Sequence, residues 1–391
     1  MGTSKKLILK PGKEKPLRNR HHWIFSGAVS SFPDNCDGEI IPVYTSDGEC
    51  LGHAYFNPQV SILGRMISFG DIPPREAIKL ALTDAIAFRQ IRFKEQSTNA
   101  YRLINGEGDG LPGLIVDIYN NILVLQILTL GMERMRSLII DALKQALNPR
   151  AIYEKSLHGS RKEEGLDFRE GVIHGPDVDE VEIRENGLKF IVSLKQGQKT
   201  GFFLDQREMR KQIMALATDK RVLNCFSYTG GFSVYALAGG ANFAISVDSS
   251  EYALESANRN ILLNGFFEKQ HQARQSDAFE FLRKEKLDYE IVILDPPAFA
   301  KGKKDVVAAC RGYKELNCLA IRRMPQDSYL LTCSCSNYIS ADLFQKVIFQ
   351  AAADAKRPVR IVGRHQIASD HPVNLFHPET EYLKSLLLYI S

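Results

Sequence analysis

Apolar positions along this chain change period. In residues 1–72 they alternate over short runs, Ile40–Tyr44 and Leu51–Tyr55. Turn formers bound these runs: Gly27, Pro33-Asp34, Asp47-Gly48 and Asn57-Pro58. Period two with frequent turns predicts a small β-barrel. Ile72-Pro73-Pro74 then reads as a stiff linker, since two prolines continue neither a strand nor a helix interior.

A second block, 73–186, opens with helical spacing over Arg75–Lys94 (Ile78, Ala81, Leu82, Ala85, Ile86). Strands are predicted at Leu114–Tyr119, Ile122–Ile127, Ile152–Lys155 and Val181–Ile183, with a helix over Met132–Ala146. The charged, glycine-bearing stretch Gly159–Asp179 reads as a loop. A compact α+β unit follows from this order.

The third block, 187–391, alternates the two periods. Strands are predicted at Val222–Cys225, Ala244–Val247, Ile291–Leu294, Tyr329–Thr332, Arg360–Val362 and Ser385–Ile390. Helices are predicted at Gly231–Ala238, Tyr252–Leu263, Tyr313–Arg323 and Asp342–Ala353. Alternation of this kind predicts an α/β fold with a parallel sheet covered on both faces. Only loop separates the last two strands, enough for a hairpin but not a helical crossover. The final strand should therefore run antiparallel.

Composition adds limits. Of 391 residues, 44% are apolar and 25% charged, which excludes disorder. No run approaches the ~20 apolar residues of a membrane span, and the start lacks the apolar stretch of a secretory signal. Seven cysteines, an odd number without a CxxC pair, point to free thiols in a reducing cytoplasm. The net charge of +4 is uneven. Lys5, Lys6, Lys10, Lys13, Lys15, Arg18 and Arg20 face only Glu14 in residues 1–20. Ahead of His21, His22 and Trp23, this suits either a polyanion or plain solvent. Trp23 is expected in the barrel core.

Chemistry concentrates in the third block. Its first strand leads into Asn224-Cys225-Phe226-Ser227-Tyr228-Thr229-Gly230-Gly231, where glycine lets backbone approach a ligand. Asp248 ends the second strand and would accept ribose hydroxyls. To this point a dinucleotide and S-adenosylmethionine fit alike. Ser276-Asp277-Ala278 after the third strand and Asp295-Pro296-Pro297 after the fourth favour the methyl donor. A carboxylate and rigid carbonyls suit an amino-bearing base, and open α/β sheets bind ligands at these strand ends.

The runs NCFSYTGG (224–231), DPPAF (295–299), ACRGYKELN (309–317) and TCSCS (332–336) resemble the large-subunit ribosomal RNA cytosine-C5 methyltransferases of the RlmI type. TGFFLDQR (200–207), LRNRHHWIFSGAV (17–29), Asp370-His371-Pro372 and Glu381-Tyr382-Leu383-Lys384 belong to the same pattern. The resemblance spans nearly the whole chain. It implies a Rossmann-like methyltransferase sheet with an antiparallel last strand in 187–391, a PUA-like RNA-binding barrel in 1–72 and a central α+β domain in 73–186. It implies Cys335 as nucleophile with Asp295 as partner of the target base, and S-adenosylmethionine held by Asn224, Phe226, Tyr228, Gly230, Asp248, Asp277, Ala278 and Asp295. The expected partner is 23S ribosomal RNA, met by Lys10, Arg18, Arg20, Arg311 and Lys314, with no metal, no membrane and a homodimer left open. Two positions depart from the pattern: Ala298 stands where relatives often carry Lys or Thr, and Cys333 is additional. A guanine-N7 methyltransferase, needing no cysteine, and a noncatalytic RNA-binding factor stay as alternatives.

Overall fold

The computed structural model describes residues 5–35, 37–93, 97–364 and 367–391. Cys36, one of the seven cysteines, and Lys94, the end of the helix expected over Arg75–Lys94, lie outside them. The chain divides into two compact units. One holds Met1–Ile183, Val192–Leu204 and Ser369–Thr380; the other holds Arg184–Ile191, Asp205–Ala368 and Glu381–Ser391.

The first unit begins with β1 (Leu7–Leu9), β2 (Trp23–Ile24), β3 (Val29–Ser31), β4 (Ile40–Tyr44), β5 (Cys50–Phe56) and β6 (Gly64–Phe69). They form one mixed sheet in the order β2-β6-β5-β4-β1-β3. Alternation supplies its core: Leu7, Leu9, Ile41, Val43, Ala54, Phe56 and Met66 point inward. The Pro74–Arg92 helix follows, with proline in its first turn, where a missing N–H costs nothing.

Five strands come next: β7 (Ala100–Asn105), β8 (Leu114–Tyr119), β9 (Ile122–Ile127), β10 (Ala151–Ser156) and β11 (Arg169–His174), ordered β11-β10-β9-β8-β7. Two of them correct the sequence reading. β7 was not expected because Arg102 interrupts its apolar pattern. Arg102 lies opposite Asp117 on β8 and is ion-paired to that fully buried carboxylate at 2.5 Å, so the charge is neutralised across the sheet. β11 lies in the stretch read as loop. It is a largely exposed edge strand, and an edge facing water carries no apolar signal.

β12 (Glu180–Glu185) and β13 (Leu188–Ser193) form a separate two-stranded ribbon, so the strand expected at Val181–Ile183 does not join the central sheet. The second unit then builds β14 (Arg221–Cys225), β15 (Phe243–Asp248), β16 (His271–Gln275), β17 (Ile291–Leu294), β18 (Ser328–Ser334), β19 (Val359–Arg364) and β20 (Lys384–Ile390). Their order is β16-β15-β14-β17-β18-β20-β19. The first five are parallel, and β20 runs antiparallel between β18 and β19. Ile291–Leu294 is buried throughout, as expected of a central strand covered on both faces. Among the described residues no helix is long and apolar enough to cross a membrane.

Candidate active site

Because β14 to β18 are parallel, the segments after them share one edge of the sheet. The strand order reverses between β14 and β17, and the cleft at such a reversal is where open α/β sheets take ligands.

The loop after β14 is held in an uncommon conformation. Phe226, Tyr228 and Gly230 have φ of 57°, 46° and 77°, the left-handed region that costs non-glycine residues ~1–2 kcal/mol each. Backbone bonds retain it: Ser227 N–H to the Val247 carbonyl (3.1 Å) and Gly230 N–H to the Ser227 carbonyl (2.9 Å). Asp248 contributes too, its Oδ2 accepting from Tyr228 N–H at 2.9 Å and its Oδ1 from Ser250 N–H at 3.0 Å. A side chain at Gly230 would meet Ala257 Cβ at 2.8 Å, so the loop lies directly on the neighbouring helix. The Gly231–Ala238 helix starts here and turns its N-terminal dipole toward the cleft edge. Ser227 Oγ, Thr229 Oγ1 and Asn224 Oδ1 are buried without partners.

These features fit S-adenosylmethionine. The orphaned hydroxyls and the helix start suit an amino-carboxylate, while half-buried Asp248 keeps lone pairs for ribose hydroxyls. Asp277 is exposed and caps the Ala278–Lys284 helix through Oδ1 (3.0 Å from Glu280 N), with Ala278 buried behind it. Phe226 packs partly into the core. Asn224 sits deeper than the others. It is fully buried, its Nδ2 donating to Ser233 Oγ at 3.1 Å. That hydroxyl continues through Ser246 to His271 in steps of 2.8 Å.

Across the cleft, the register Leu294↔Thr332 places Asp295-Pro296 alongside the end of β18. Cys335 Sγ lies 3.8 Å from the Pro296 carbonyl and is half-buried. The loop around it is pinned by Ser336, whose Oγ accepts from Ala300 N–H (3.3 Å) and bonds Tyr313 (3.2 Å). Cys225 and Cys333 differ: burial pushes their thiols far up, and buried thiols are inert. Cys310 and Cys318 are part-buried like Cys335, and desolvation raises the Cys310 thiol. Cys310 and Cys318 both pack against the core from the Val306–Arg323 helix.

Four residues here carried no individual role in the sequence reading. The Tyr382 hydroxyl donates to Asp205, and Gln206 bonds Cys333, whose thiol Asp295 and Asp205 also push up. Lys384 reaches the Ser336 and Tyr382 carbonyls at 2.7 and 2.6 Å. All lie within quoted runs, but over a hundred residues separate TGFFLDQR from TCSCS in sequence.

The candidate RNA cations are exposed, except part-buried Lys314, and mostly engaged. Lys10 donates to the Gly27 carbonyl (3.1 Å) and Arg18 pairs with Glu49 (2.5 Å). Arg20 lies 5.9 Å over the Phe69 ring. On the Val306–Arg323 helix Arg311 is exposed, while Lys314 pairs with Asp354 at 2.7 Å. Exposed Arg322 and part-buried Arg323 donate to the Asp354 and Leu282 carbonyls. Trp23 is half-buried and not in the barrel core. Its indole N–H donates to Glu107 at 2.8 Å and its ring meets His377 edge-on at 4.5 Å.

Comparison with known proteins gives the family and the fold. Residues 162–372 match the model of an S-adenosylmethionine-dependent methyltransferase and residues 7–69 that of a PUA-like domain. The chain is 40% identical to "Ribosomal RNA large subunit methyltransferase I" of Alteromonas mediterranea, over 99% of each protein. It superposes on a SAM-dependent methyltransferase from Streptococcus mutans with a TM-score of 0.85, 26% identity and coverage of 98% and 99%. A methyltransferase solved in complex with SAH gives 0.86 at the same identity and coverage. A methyltransferase match over more than half of the chain, a PUA-like match preceding it in sequence and 40% identity over the full length thus place this chain in the S-adenosylmethionine-dependent ribosomal RNA large subunit methyltransferase I family.

Proposed function

We propose that this protein methylates C5 of a cytosine in 23S ribosomal RNA, with Cys335 as covalent nucleophile. The substrate follows the curated relative, which is named for the large ribosomal subunit. The observation that carries the chemistry is the part-buried Cys335 thiol 3.8 Å from the carbonyl of Pro296, the residue after Asp295.

C5 of cytosine is a poor nucleophile. Addition of the Cys335 thiolate to C6 moves electron density onto C5, replacing one hard step by easier ones. Bound S-adenosylmethionine supplies an electrophilic methyl group, held by Phe226, Tyr228, Gly230, Asp248, Asp277 and Ala278. After C5 has gained the methyl, a base removes its proton and the Cys335 thiolate is expelled, restoring the ring. Asp295 orients the cytosine at N3 and its amino group. A paired base must first leave its stack, and the cations Lys10, Arg18, Arg20, Arg311 and Lys314 would hold the flanking phosphates. The division of labour is a barrel for RNA in 1–72, a central domain in 73–186 and catalysis in 187–391. A guanine-N7 reaction is disfavoured, because a ring nitrogen needs no thiolate.

Incubation with labelled methyl donor and deproteinised ribosomal RNA, followed by nucleoside mass spectrometry, should yield 5-methylcytosine. Cys335→Ala should abolish transfer while cofactor binding, read by calorimetry, is retained. Recovery of 7-methylguanosine, or full activity in Cys335→Ala, overturns the proposal.

A further inference from the structure

Lys384 is a buried ammonium in the last strand, only 8% exposed. Its two bonds go to neutral carbonyls, Ser336 and Tyr382. Burying a cation beside uncharged partners costs several kcal/mol, so its retention asks for an anion nearby. Position brings a thiol beside it. In the β18–β20 register Lys384 stands opposite Ser334, and it grips the carbonyl of Ser336. The residue between Ser334 and Ser336 is Cys335.

We propose that Lys384 is the positioning residue of the nucleophile: its ammonium holds Cys335 as thiolate and its bond to Ser336 fixes the cysteine loop. This rests on the proposed role of Cys335. Two kinds of charge meet at this strand end. Asp295 after β17 and Asp205 before the Arg207–Leu216 helix both push the neighbouring Cys333 thiol up, so negative charge gathers there. Tyr313, from the Val306–Arg323 helix, is kept a neutral phenol by burial. Lys384 opposes the carboxylates. Burial lowers its own pKa to about 8, while Cys335 and then Glu381 push it back up. Charge coupling is mutual: what a thiolate does for the ammonium, the ammonium does for the thiolate. At pH 7 Lys384 is still mostly protonated, so the cation is present where the thiolate is needed.

The test follows iodoacetamide alkylation of Cys335 against pH in the full-length protein, with the Cys335 peptide quantified by mass spectrometry. In the unsubstituted protein the midpoint should fall below the ~8.5 of a free thiol. Lys384→Gln keeps a hydrogen-bond donor but loses the charge. It should raise the midpoint and slow alkylation at pH 7 about tenfold, the equivalent of one pKa unit. Lys384→Arg should restore the low midpoint. A lysine that only braced the loop would alter melting without moving this profile. An ordinary thiol midpoint in the unsubstituted protein, or superimposed profiles for it and Lys384→Gln, overturns the proposal. Alkylation needs no methyl transfer. Should the product prove not to be 5-methylcytosine while Lys384→Gln still shifts the midpoint, the proposed reaction fails and the coupling stands.

Discussion

Gly230→Ala tests the cofactor loop where it is tightest. At φ +77° an L-residue pays ~1–2 kcal/mol. The new methyl would also lie 2.8 Å from Ala257 Cβ and 3.1 Å from Ala257 Cα, inside the ~3.5–4.0 Å of ordinary carbon contacts. Ala257 is fully buried in the Glu251–Leu263 helix and has no rotamer with which to escape. Overpacking of this kind costs ~1–3 kcal/mol, for a total of roughly 2–5 kcal/mol. In a domain of this size that is a fall in melting temperature of about 5–15 °C. Gly265→Ala is the reference: φ is +78° and nothing lies within 4 Å of its Cβ, so it loses the backbone contribution alone. Scanning calorimetry gives the melting difference. Titration with S-adenosylmethionine should show affinity weakened about tenfold or more in Gly230→Ala, ~1.4 kcal/mol, and unchanged in Gly265→Ala. The reasoning is refuted if Gly230→Ala melts with Gly265→Ala and binds cofactor like the unsubstituted protein.

Glu185→Gln should cost ~3–5 kcal/mol in urea denaturation. The carboxylate is fully buried and accepts from Arg207 (3.1 Å), Arg210 (2.8 Å) and the Tyr235 hydroxyl (2.9 Å), so its loss leaves two buried guanidinium groups without it. A cost under ~1 kcal/mol would mean the cluster is not coupled to folding. His271 should make stability pH-dependent. Burial lowers its pKa to about 4 from 6.5, so between those values the unfolded chain binds the proton and the native state does not. The contribution is complete above pH 6.5 and is lost as pH falls toward 4, about 3 kcal/mol in all. His271→Gln should flatten this part of the stability curve, and an unchanged slope would exclude His271 as its source.

Much of the fold was legible because burial in this protein follows period. The central strands Val222–Cys225 and Ile291–Leu294 and the Gly231–Ala238 helix are apolar runs between turn residues, and they form where the pattern places them. What period could not show was structure built on charge. Arg102 hid β7, and the exposed edge hid β11, because their side chains are satisfied by Asp117 or by water and not by a core. Glu185, Arg207 and Arg210 likewise lie buried, their charges paired with one another.

At the site the division is similar. Local chain order determined that glycine, aspartate and proline would follow successive parallel strands, since each strand of such a sheet ends at the same edge. It determined the chemical character of the cleft, but it did not by itself single out Cys335, which came from the resemblance carried by TCSCS. Only the tertiary structure decided that Cys225 and Cys333 are sealed in while Cys335 stays part-exposed, because solvation depends on packing from distant segments. It alone brought Lys384 opposite Ser334 and Tyr382 onto Asp205. Strand insertion joins residues far apart in the chain, and no one-dimensional pattern carries that distance.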